Sequence, residues 1–560
     1  MLGPACTPAR SVDQEANAFG YREVFLPQGL GKNAKELDLN SIDVDWGIWG
    51  HNLGRVLPEK HSESVYAKVN ESTLKTQFCF SSNRLFDYIT QYIDDNYSSA
   101  DHTRFSIIPN DNDIVCLCMK CVAVGNTEDD ASPAVFNMIK KLSERYPNHQ
   151  FYTSDYRTTK DLPNASLSPN SGVMVSAMPY PFTFSPNPAK DKFLATIDNW
   201  GAKTDNILVW DYINNFDDYF TPYPNLGVMQ DRLRNYRDHK VSAVFLNGSG
   251  SDASSFSNLK TIVLAELLKN PDADWQTILT QKAKELYPVT GETIANFMLA
   301  QENYVKTHNV SLPMYEGVAV AENTYLPLDL FINFHDSLLS LREQTQGDER
   351  VYIDKLLPKL AMTRLELKRL ERNMNGVEPL LESMENLKNM KVTSYNESGW
   401  LVESYIKDYR FMLDHYKEME GKNLLKGEQL KALTPLDPDY SDISILTDGL
   451  LGMPSNYHNG HLINTPEKKT DISIPYKPGA TKLRVWLSYI PGYKIYLPAS
   501  VSLNAPGMEK ITVNTSYPKD YVGHYPVEFQ LPSTITGPLT LSMVKDPEKR
   551  SMAIEEIELY

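Results

Sequence analysis

The sequence lacks long apolar runs, and this absence narrows the kind of protein that it can encode. No stretch of about 18 uninterrupted apolar residues occurs, so we expect no membrane-spanning helix. The opening residues, MLGPACTPARSVDQEANAF, have no apolar core of the kind that a signal peptide requires. By itself this N-terminus predicts a cytoplasmic protein, and the alternative is that a leader and an upstream domain precede this sequence.

The chain is also poor in clustered cations. Its 55 Lys and Arg residues stand against 71 Asp and Glu residues, which gives a formal net charge of −16 at pH 7. Nucleic acid is therefore not the expected partner, because neutralising phosphates requires clustered cations. Hydrophobic residues make up 41% and charged residues 22%, which are ordinary globular values and fit a soluble enzyme with neutral or mildly charged substrates.

Several common catalytic signatures are missing. There is no G-x-S-x-G nucleophile elbow, and the NGSGSD run that begins at Asn247 lacks its spacing. There is no phosphate-binding G-x-x-x-x-G-K-[ST] loop and no G-x-G-x-x-G motif after a strand pattern, so nucleotide-binding sites of these types are excluded. His51 and His61 do not belong to an H-E-x-x-H motif, so a zinc hydrolase is not indicated.

The first half of the chain instead contains eight short apolar runs, most of them followed by a helical pattern. In chain order the runs are YREVFLP, DWGIWGHN, QFCFSS, RFSIIPND, QFYTSDY, GVMVSAM, NILVWDY and SAVFLNGS. Eight alternating strand and helix units are typical of the α/β fold class and predict a (β/α)8 TIM barrel.

The patterns divide the rest of the chain. Residues 1–20 are expected to form an N-terminal tail, and residues 21–290 are expected to form the (β/α)8 barrel. Long helical stretches without strand signals follow over residues 291–433. A Pro- and Asp-rich connection, TPLDPDYSD, then leads into short alternating runs, so residues 434–560 are expected to form an antiparallel β-sandwich.

Polar and aromatic residues follow the predicted strands at the points where they end. In such barrels the carboxyl ends of the strands form the active-site face, so we expect these residues to line one cleft, although any one of them could instead cap a helix or tie a loop. They are His51, Asn52, Ser82, Asn110, Asp111, Asp155, Tyr156, Asp211, Tyr212 and Asn247. Carboxylates, amides and aromatic rings together favour carbohydrate chemistry.

Four of the five cysteines, Cys79, Cys116, Cys118 and Cys121, are expected to lie close together because neighbouring strands carry them. Four thiolates could hold a structural zinc ion, two disulfides would indicate an oxidising compartment, and reduced buried thiols are the third alternative. We expect the four cysteines to hold a loop in place, and we expect no catalytic cofactor.

Five segments taken together resemble a bacterial family that was long a domain of unknown function and now includes glycoside hydrolase family 163. They are WGIWGHNLGRVLP, QFCFSS, SIIPNDNDIVCLCMKC, LVWDYINNFDDYFTPYPNL and VFLNGSGSDASSF. The resemblance covers about residues 20–300. It implies an endo-β-N-acetylglucosaminidase acting on complex N-glycans, a barrel related to those of hexosaminidases and α-glucuronidases, and a periplasmic or cell-surface location. The N-terminus shows no signal peptide, so the location stays open.

Such an enzyme can use the 2-acetamido group of its substrate as the nucleophile. It then needs a proton donor and a group that orients the acetamide. We expect Asp111 to be the general acid and base and Asn110 to be the acetamide partner, with Asp113 as a substitute acid. In the family that the chain resembles, an acidic residue often occupies the position of Asn110.

Further residues complete the expected site. Asp211 is a candidate second carboxylate: a separation of about 5 Å from Asp111 would allow a covalent retaining mechanism, and about 6.5–9.5 Å would suit inversion. Tyr212 is expected to donate to the acetamide oxygen. Trp210 is expected to pack behind the barrel. The remaining substrate-binding candidates are Trp49, His51, which would donate to a sugar hydroxyl, Asn52, Tyr156 and Asn247.

Three functions follow from this inventory. The leading one is a glycoside hydrolase of N-acetylglucosamine-containing glycans, with an oligosaccharide or glycoprotein glycan as its ligand. The second is a glycan-binding protein that kept the barrel and lost a carboxylate at position 110. The third is an exo-acting α-glucuronidase-like hydrolase, which requires a basic cluster such as Arg22, Arg55 and Arg157. The sequence does not indicate an oligomeric state.

Overall fold

A computed structural model of the protein describes residues 17–465, 467–517 and 522–560. Most of the predicted N-terminal tail, residues 1–20, lies outside the described residues. The chain folds into two compact units. The first comprises residues 17–214 and 223–314, and the second comprises residues 215–222 and 315–560.

The first unit alternates strands and helices. Its strands are β1 (Tyr21–Val24), β2 (Trp46–Ile48), β3 (Tyr66–Val69), β4 (Ser72–Phe78), β5 (Arg104–Ser106), β6 (Gln150–Asp155), β7 (Ser171–Ser176), β8 (Ile207–Tyr212) and β9 (Ala243–Asn247). Its helices are α1 (Gly31–Glu36), α2 (Ile42–Asp45), α3 (Asn83–Asn96), α4 (Met119–Val124), α5 (Ser132–Arg145), α6 (Pro188–Gly201), α7 (Leu226–Asp238), α8 (Ser257–Lys269), α9 (Trp275–Leu286) and α10 (Gly291–Thr307).

Seven of these strands form one curled parallel sheet in the order β1-β9-β8-β7-β6-β5-β2. Seven of the eight predicted strands lie in it, and the α/β class is confirmed. The predicted third strand, QFCFSS, was wrong as a sheet strand: β4 forms an antiparallel hairpin with β3, and β2 pairs directly with β5. The apolar run Phe78–Phe80 packs instead into the core that α3 and α5 cover.

The sheet is a half-barrel and a closed barrel is not confirmed, since no ladder joins its edge strands β1 and β2 within the described residues. The segment that precedes β2 runs along this seam. Arg22 and Asn40 exchange two hydrogen bonds, at 2.9 and 2.7 Å. The Ile42 N–H donates to Glu23 Oε1 at 3.1 Å. Side-chain and loop hydrogen bonds therefore stabilise the place where a ladder would close a barrel.

The concave side of the sheet is filled with aromatic side chains. Tyr21, Trp46, Tyr152 and Phe245 are buried there, each from a different strand. The rings of Trp46 and Tyr152 lie 5.2 Å apart, and those of Tyr21 and Trp46 lie 6.1 Å apart, so side chains from strands distant in the sheet meet across its interior. Trp49 and Trp210, near the carboxyl ends of the strands, pack against this core.

The second unit begins with helices and ends with strands. Its helices are α11 (Val318–Thr324), α12 (Leu328–Leu341), α13 (Gly347–Leu370), α14 (Glu378–Asn389) and α15 (Val402–Met419). Its strands are β10 (Lys431–Ala432), β11 (Leu462–Asn464), β12 (Lys469–Ile474), β13 (Lys482–Tyr489), β14 (Ser500–Ala505), β15 (Met508–Asn514), β16 (Gly523–Gln530), β17 (Leu539–Val544) and β18 (Met552–Leu559).

These strands form two antiparallel sheets, in the orders β10-β12-β17-β14-β15 and β11-β18-β13-β16. Their inward side chains, among them Ile472, Val485, Leu541 and Ile557, belong to one buried core. Two antiparallel sheets over one shared core make a β-sandwich. Across the described parts of both units, no helix combines the length and the apolar character needed to cross a membrane.

Candidate functional site

The carboxyl end of the curled sheet has an aromatic floor. The rings of Trp49 and Trp210 stack with centroids 4.9 Å apart and an interplanar angle of 17°, and Phe245 lies 4.6 Å from Trp49. Both tryptophans are half-buried. The expectation that Trp210 packs behind the sheet was wrong, because Leu208 and Trp210 face the interior, whereas Asp211 faces the opposite side. The floor therefore offers aromatic surface at the strand ends.

His51 lies at the rim of this floor. Gly50, in the left-handed region at φ +58°, turns the chain between Trp49 and His51, and a Cβ there would come within 3.6 Å of the Trp210 ring. The His51 ring lies 6.0 Å from that of Tyr156, and its Nδ1 donates to the Pro109 carbonyl at 2.6 Å. Because a carbonyl oxygen only accepts, Nδ1 carries a proton, and Nε2 is the ring nitrogen left to face a ligand.

Asp111 shares one guanidinium with Asp113. Arg157 Nε donates to Asp111 Oδ1 at 2.5 Å, and Arg157 Nη1 donates to Asp113 Oδ1 at 2.9 Å. The Asp111 side chain is 53% exposed and that of Asp113 is 79% exposed, so both can reach a ligand from solvent. The guanidinium carbon also lies 5.4 Å from the centre of the Tyr156 ring. Asp111, Arg157, Tyr156 and His51 thus form one contiguous group.

The side chains of this group shift one another's pKa values. Burial raises the pKa of the Tyr156 phenol, Arg157 opposes the rise, and the charge of Asp111 adds to it. Hydrogen bonds to Asp113, Tyr156 and Asp111 raise the pKa of the Arg157 guanidinium. Arg157 also adopts a left-handed backbone conformation with φ +49°, which costs a residue other than glycine about 1–2 kcal/mol. Strain of this kind is concentrated at functional sites in proteins.

Asn110 is tied to the β3–β4 hairpin. Its Nδ2 donates to the Thr76 carbonyl at 2.9 Å. Its backbone N–H donates to Gln77 Oε1 at 2.9 Å, and its carbonyl accepts from Gln77 Nε2 at 3.1 Å. The amide nitrogen of Asn110 is therefore engaged within the loop, and Gln77 fixes the backbone on which Asp111 follows.

Tyr212 and Asn247 occupy neighbouring strand ends, since they are partners in the register of β8 and β9. Both side chains are half-buried, and the Tyr212 hydroxyl lies 3.4 Å from Ser176 Oγ. Asn52 is exposed, and its Nδ2 donates to the Trp49 carbonyl at 2.9 Å, so it stabilises the turn after β2. The rim thus carries hydroxyl and amide groups next to the tryptophan floor.

Asp211 does not lie at the strand-end cleft where the sequence places it. Its side chain is fully buried on the helix-covered side of the sheet. Arg232 Nη2 and Nε donate to its two oxygens at 2.7 and 2.8 Å, and the Tyr236 hydroxyl donates at 2.5 Å. Asp155 likewise accepts from Trp200 Nε1 at 2.6 Å on that side. Ser82 caps α3 by accepting from the Leu85 N–H at 3.2 Å.

The basic cluster that an α-glucuronidase-like site requires is not assembled. Arg22 is buried and donates to the carbonyls of Phe19 and Asp38 at 2.7 and 2.8 Å, and Arg55 lies in a separate turn at Leu53–Val56. Of these three arginines, Arg157 is the one that contacts Asp111. Its role beside Asp111 was missed because the backbone turn that aims the guanidinium has no sequence signature. Ser176 was missed because serine at a strand end is common.

Four cysteines are brought together, as expected. The sulfur atoms of Cys79, Cys116, Cys118 and Cys121 lie within 4.8 Å of one another, and among the described residues this is the group of side chains that fits a metal ion.

Comparison with known proteins gives one family match. A family model described as a domain of unknown function (DUF4838) matches residues 20–298. No curated protein matches the chain. The finer assignment to glycoside hydrolase family 163 stays a prediction.

Two solved structures are weakly similar to the chain. A family GH115 4-O-methyl-α-glucuronidase with specificity for decorated arabinogalactans is 11% identical over 86% of this chain and 67% of its own, with a TM-score of 0.36. A chitosan-binding module of a chitosanase/glucanase from Paenibacillus sp. IK-5 is 14% identical over 25% of this chain and 98% of its own, with a TM-score of 0.18. Similarities at such TM-scores define neither the fold nor the function of this chain.

Proposed function

We propose that this protein is a glycoside hydrolase of N-acetylglucosamine-containing glycans that acts as an endo-β-N-acetylglucosaminidase. The observation that carries the proposal is the stacked pair Trp49 and Trp210 at the strand ends, followed in the chain by His51, whose contact with Tyr156 leads to the Asp111–Arg157 ion pair. Aromatic rings provide the apolar surface on which the C–H groups of a sugar pack, and a few convergent polar groups fix its orientation. The expected ligand is an oligosaccharide or a glycoprotein glycan.

Asp111 is the residue that we assign as the general acid and base. It protonates the glycosidic oxygen while the acetamide oxygen of the substrate attacks C1, which breaks the glycosidic bond and forms an oxazolinium ion. The Asp111 carboxylate then takes a proton from a water molecule as the water oxygen attacks C1 and opens the oxazolinium ring, which regenerates the acetamide. The carboxyl group is protonated again at the end of the cycle. Such proton transfer contributes about 10²–10⁴-fold to a rate.

Arg157 serves as a positioning residue in this scheme. Its guanidinium donates to Asp111 through Nε and to Asp113 through Nη1, so it retains an anionic partner when Asp111 carries a proton. We therefore assign Asp113 as the anion that stays bound to Arg157 throughout the cycle, and not as the acid.

The other rim residues are assigned to substrate binding. Tyr212 is expected to donate its hydroxyl to the acetamide oxygen, and Asn247 beside it to bind a sugar hydroxyl. Since Asn110 Nδ2 is engaged with the Thr76 carbonyl, Asn110 Oδ1 is the atom that we assign to the acetamide N–H. His51 Nε2 would accept from a hydroxyl, because Nδ1 already donates to Pro109.

The proposal is tested by comparing Asp111→Asn with Asp113→Asn. Both substitutions remove one carboxylate from the same guanidinium at an exposed position, so both variants should fold, which circular dichroism checks. We expect glycan release from N-glycoproteins, followed by mass spectrometry, to fall about 10²–10⁴-fold in Asp111→Asn and to change by less than about tenfold in Asp113→Asn. Equal turnover of Asp111→Asn and the wild type would reject the acid assignment.

A glycan-binding protein without hydrolytic activity is the second candidate, and the engagement of Asn110 favours it. Its amide is bound to a loop carbonyl at the position where the family that the chain resembles often has an acid. If a lost carboxylate silenced the site, Asn110→Glu should restore glycan release and leave glycan binding unchanged. Release by the wild-type protein would exclude this candidate.

A further inference from the structure

The four cysteines come from three places around the hairpin and the loop after β5. Cys79 follows β4, Cys116 and Cys118 lie in the segment after β5, and Cys121 lies in α4. Cys79 Sγ is 3.6 Å from Cys121 Sγ and 3.7 Å from Cys118 Sγ, and all four sulfurs lie within 4.8 Å of one another. All four are free thiols in the structure.

We propose that these four cysteines bind one Zn²⁺ ion as a structural site. A tetrahedral zinc ion with Zn–S bonds of about 2.3 Å places its sulfur ligands about 3.8 Å apart. The separations of 3.6 and 3.7 Å match that geometry and are far longer than a disulfide bond of about 2.05 Å. Sulfur-only tetrahedral sites select zinc or iron, and a set of four thiolates leaves no coordination position for catalysis.

The backbone around the cluster holds the sulfurs in place. The Lys68 N–H in β3 donates to Cys116 Sγ at 3.3 Å, and the Leu117 N–H donates back to the Lys68 carbonyl at 2.7 Å. The Cys79 N–H donates to the Val65 carbonyl at 2.8 Å. A backbone donor aimed at a sulfur stabilises the thiolate that a metal ion requires. Cys79 and Cys116 are therefore held by hydrogen bonds that do not depend on the metal.

Three of the four sulfur ligands are buried. Cys79, Cys116 and Cys121 are 5%, 3% and 0% exposed, and Cys118 is half-buried. Binding displaces the four thiol protons to solvent, and four thiolates with one Zn²⁺ carry a net charge of 2−. The side chain of Cys118 at the surface provides a route for the ion to enter.

The proposed zinc site lies on the segment that leads away from Asp111. Only four residues separate Asp111 from Cys116, and the Asn126 side chain donates to the Cys116 carbonyl at 3.2 Å. The zinc ion would thus fasten this loop to the β3–β4 hairpin, which also holds Asn110. This role does not depend on which substrate the site accepts.

The test is the metal content of the full chain, purified under reducing conditions from cells supplied with Zn²⁺ and measured by plasma mass spectrometry. We expect one zinc ion per chain in the wild type and in Cys6→Ser, a control that replaces the fifth cysteine of the sequence. We expect less than about a tenth of that content in Cys79→Ser and Cys121→Ser, since each loses one of four required thiolates.

A second readout does not require that the variants fold. The wild-type protein, unfolded and refolded with Co²⁺ in place of zinc, should show the thiolate charge-transfer and tetrahedral d–d absorption bands of a four-sulfur site. Excess Zn²⁺ should abolish those bands. Four free thiols that bind neither ion would overturn the proposal. So would stoichiometric iron, or two disulfides in protein purified without a reductant, each detected by mass spectrometry as the loss of two hydrogens.

Discussion

At the scale of single residues, Asp111 and Asp211 show how two aspartates at strand ends acquire different roles. Asp111 is half exposed and bound to a guanidinium that is itself accessible, whereas Asp211 is fully buried and bound on both oxygens by Arg232. A buried ion pair leaves an uncompensated charge when one partner is removed, and an exposed pair does not. The two carboxylates should therefore respond differently to the same substitution.

We predict that Asp211→Asn lowers the free energy of unfolding by about 3–5 kcal/mol, because it leaves the buried Arg232 guanidinium without its anion. Urea unfolding followed by tryptophan fluorescence measures this loss. Activity per folded molecule should be unchanged. A variant as stable as the wild type, or one that folds normally and loses hydrolysis, would contradict the structural role that we assign to Asp211.

The side on which Trp210 and Asp211 lie could not be read from the sequence. Period-two alternation predicts that the two residues face opposite sides, and they do. The strand NILVWDY is apolar on both sides because helices cover the outer face of a parallel sheet, so hydrophobicity does not distinguish the interior from the exterior. Sequence thus predicted the residues at the strand ends, but the direction of Asp211 depended on its partner Arg232 in α7.

At the scale of elements, seven strands were predicted because each is a short apolar run that the sheet buries on both faces. The QFCFSS run has the same pattern, and its residues are equally buried, but they are buried against α3 and α5. A local sequence pattern indicates that a segment is buried, but it does not indicate which strand or helix the segment packs against. Because the QFCFSS run was counted as a strand between β2 and β5, a complete barrel was expected. In the structure β2 pairs directly with β5.

The contribution of Glu23, at the seam between β1 and β2, to the free energy of unfolding depends on pH. Burial raises the pKa of Glu23 to about 8, hydrogen bonds from Tyr21 and Ile42 oppose the rise, and the charges of Asp45 and Asp43 add to it. Because the folded state holds the proton more tightly than the unfolded state, the stabilisation from Glu23 is complete below pH about 4.5 and is lost as pH rises to about 8.

We predict that Glu23→Gln removes this dependence, since the amide is neutral at every pH. The free energy of unfolding of the wild type minus that of the variant should fall by about 3 kcal/mol between pH 5 and pH 8. Urea titrations of both proteins at the two pH values measure the difference, and the comparison cancels other groups that titrate in the range. A difference that stays constant or rises with pH would refute the assignment.

At the scale of the whole molecule, the two units are interleaved in the chain. Residues 215–222 leave the strand-end region after β8 and belong to the second unit. There Asp217 accepts from His458 at 2.8 Å, and the Tyr219 N–H donates to the Tyr395 carbonyl at 2.8 Å. A division of the sequence into consecutive domains does not predict that residues 215–222 belong to the second unit, because His458 and Tyr395, which Asp217 and Tyr219 contact, are more than 170 positions away.

We propose that the strand-end residues hydrolyse an internal bond of an N-glycan. Intact mass analysis of a complex-type N-glycoprotein before and after incubation with the wild-type protein tests this activity. We expect a protein product that retains a single N-acetylglucosamine at each glycosylated site. An unchanged glycoprotein, or stepwise loss of terminal sugars, would contradict the proposal.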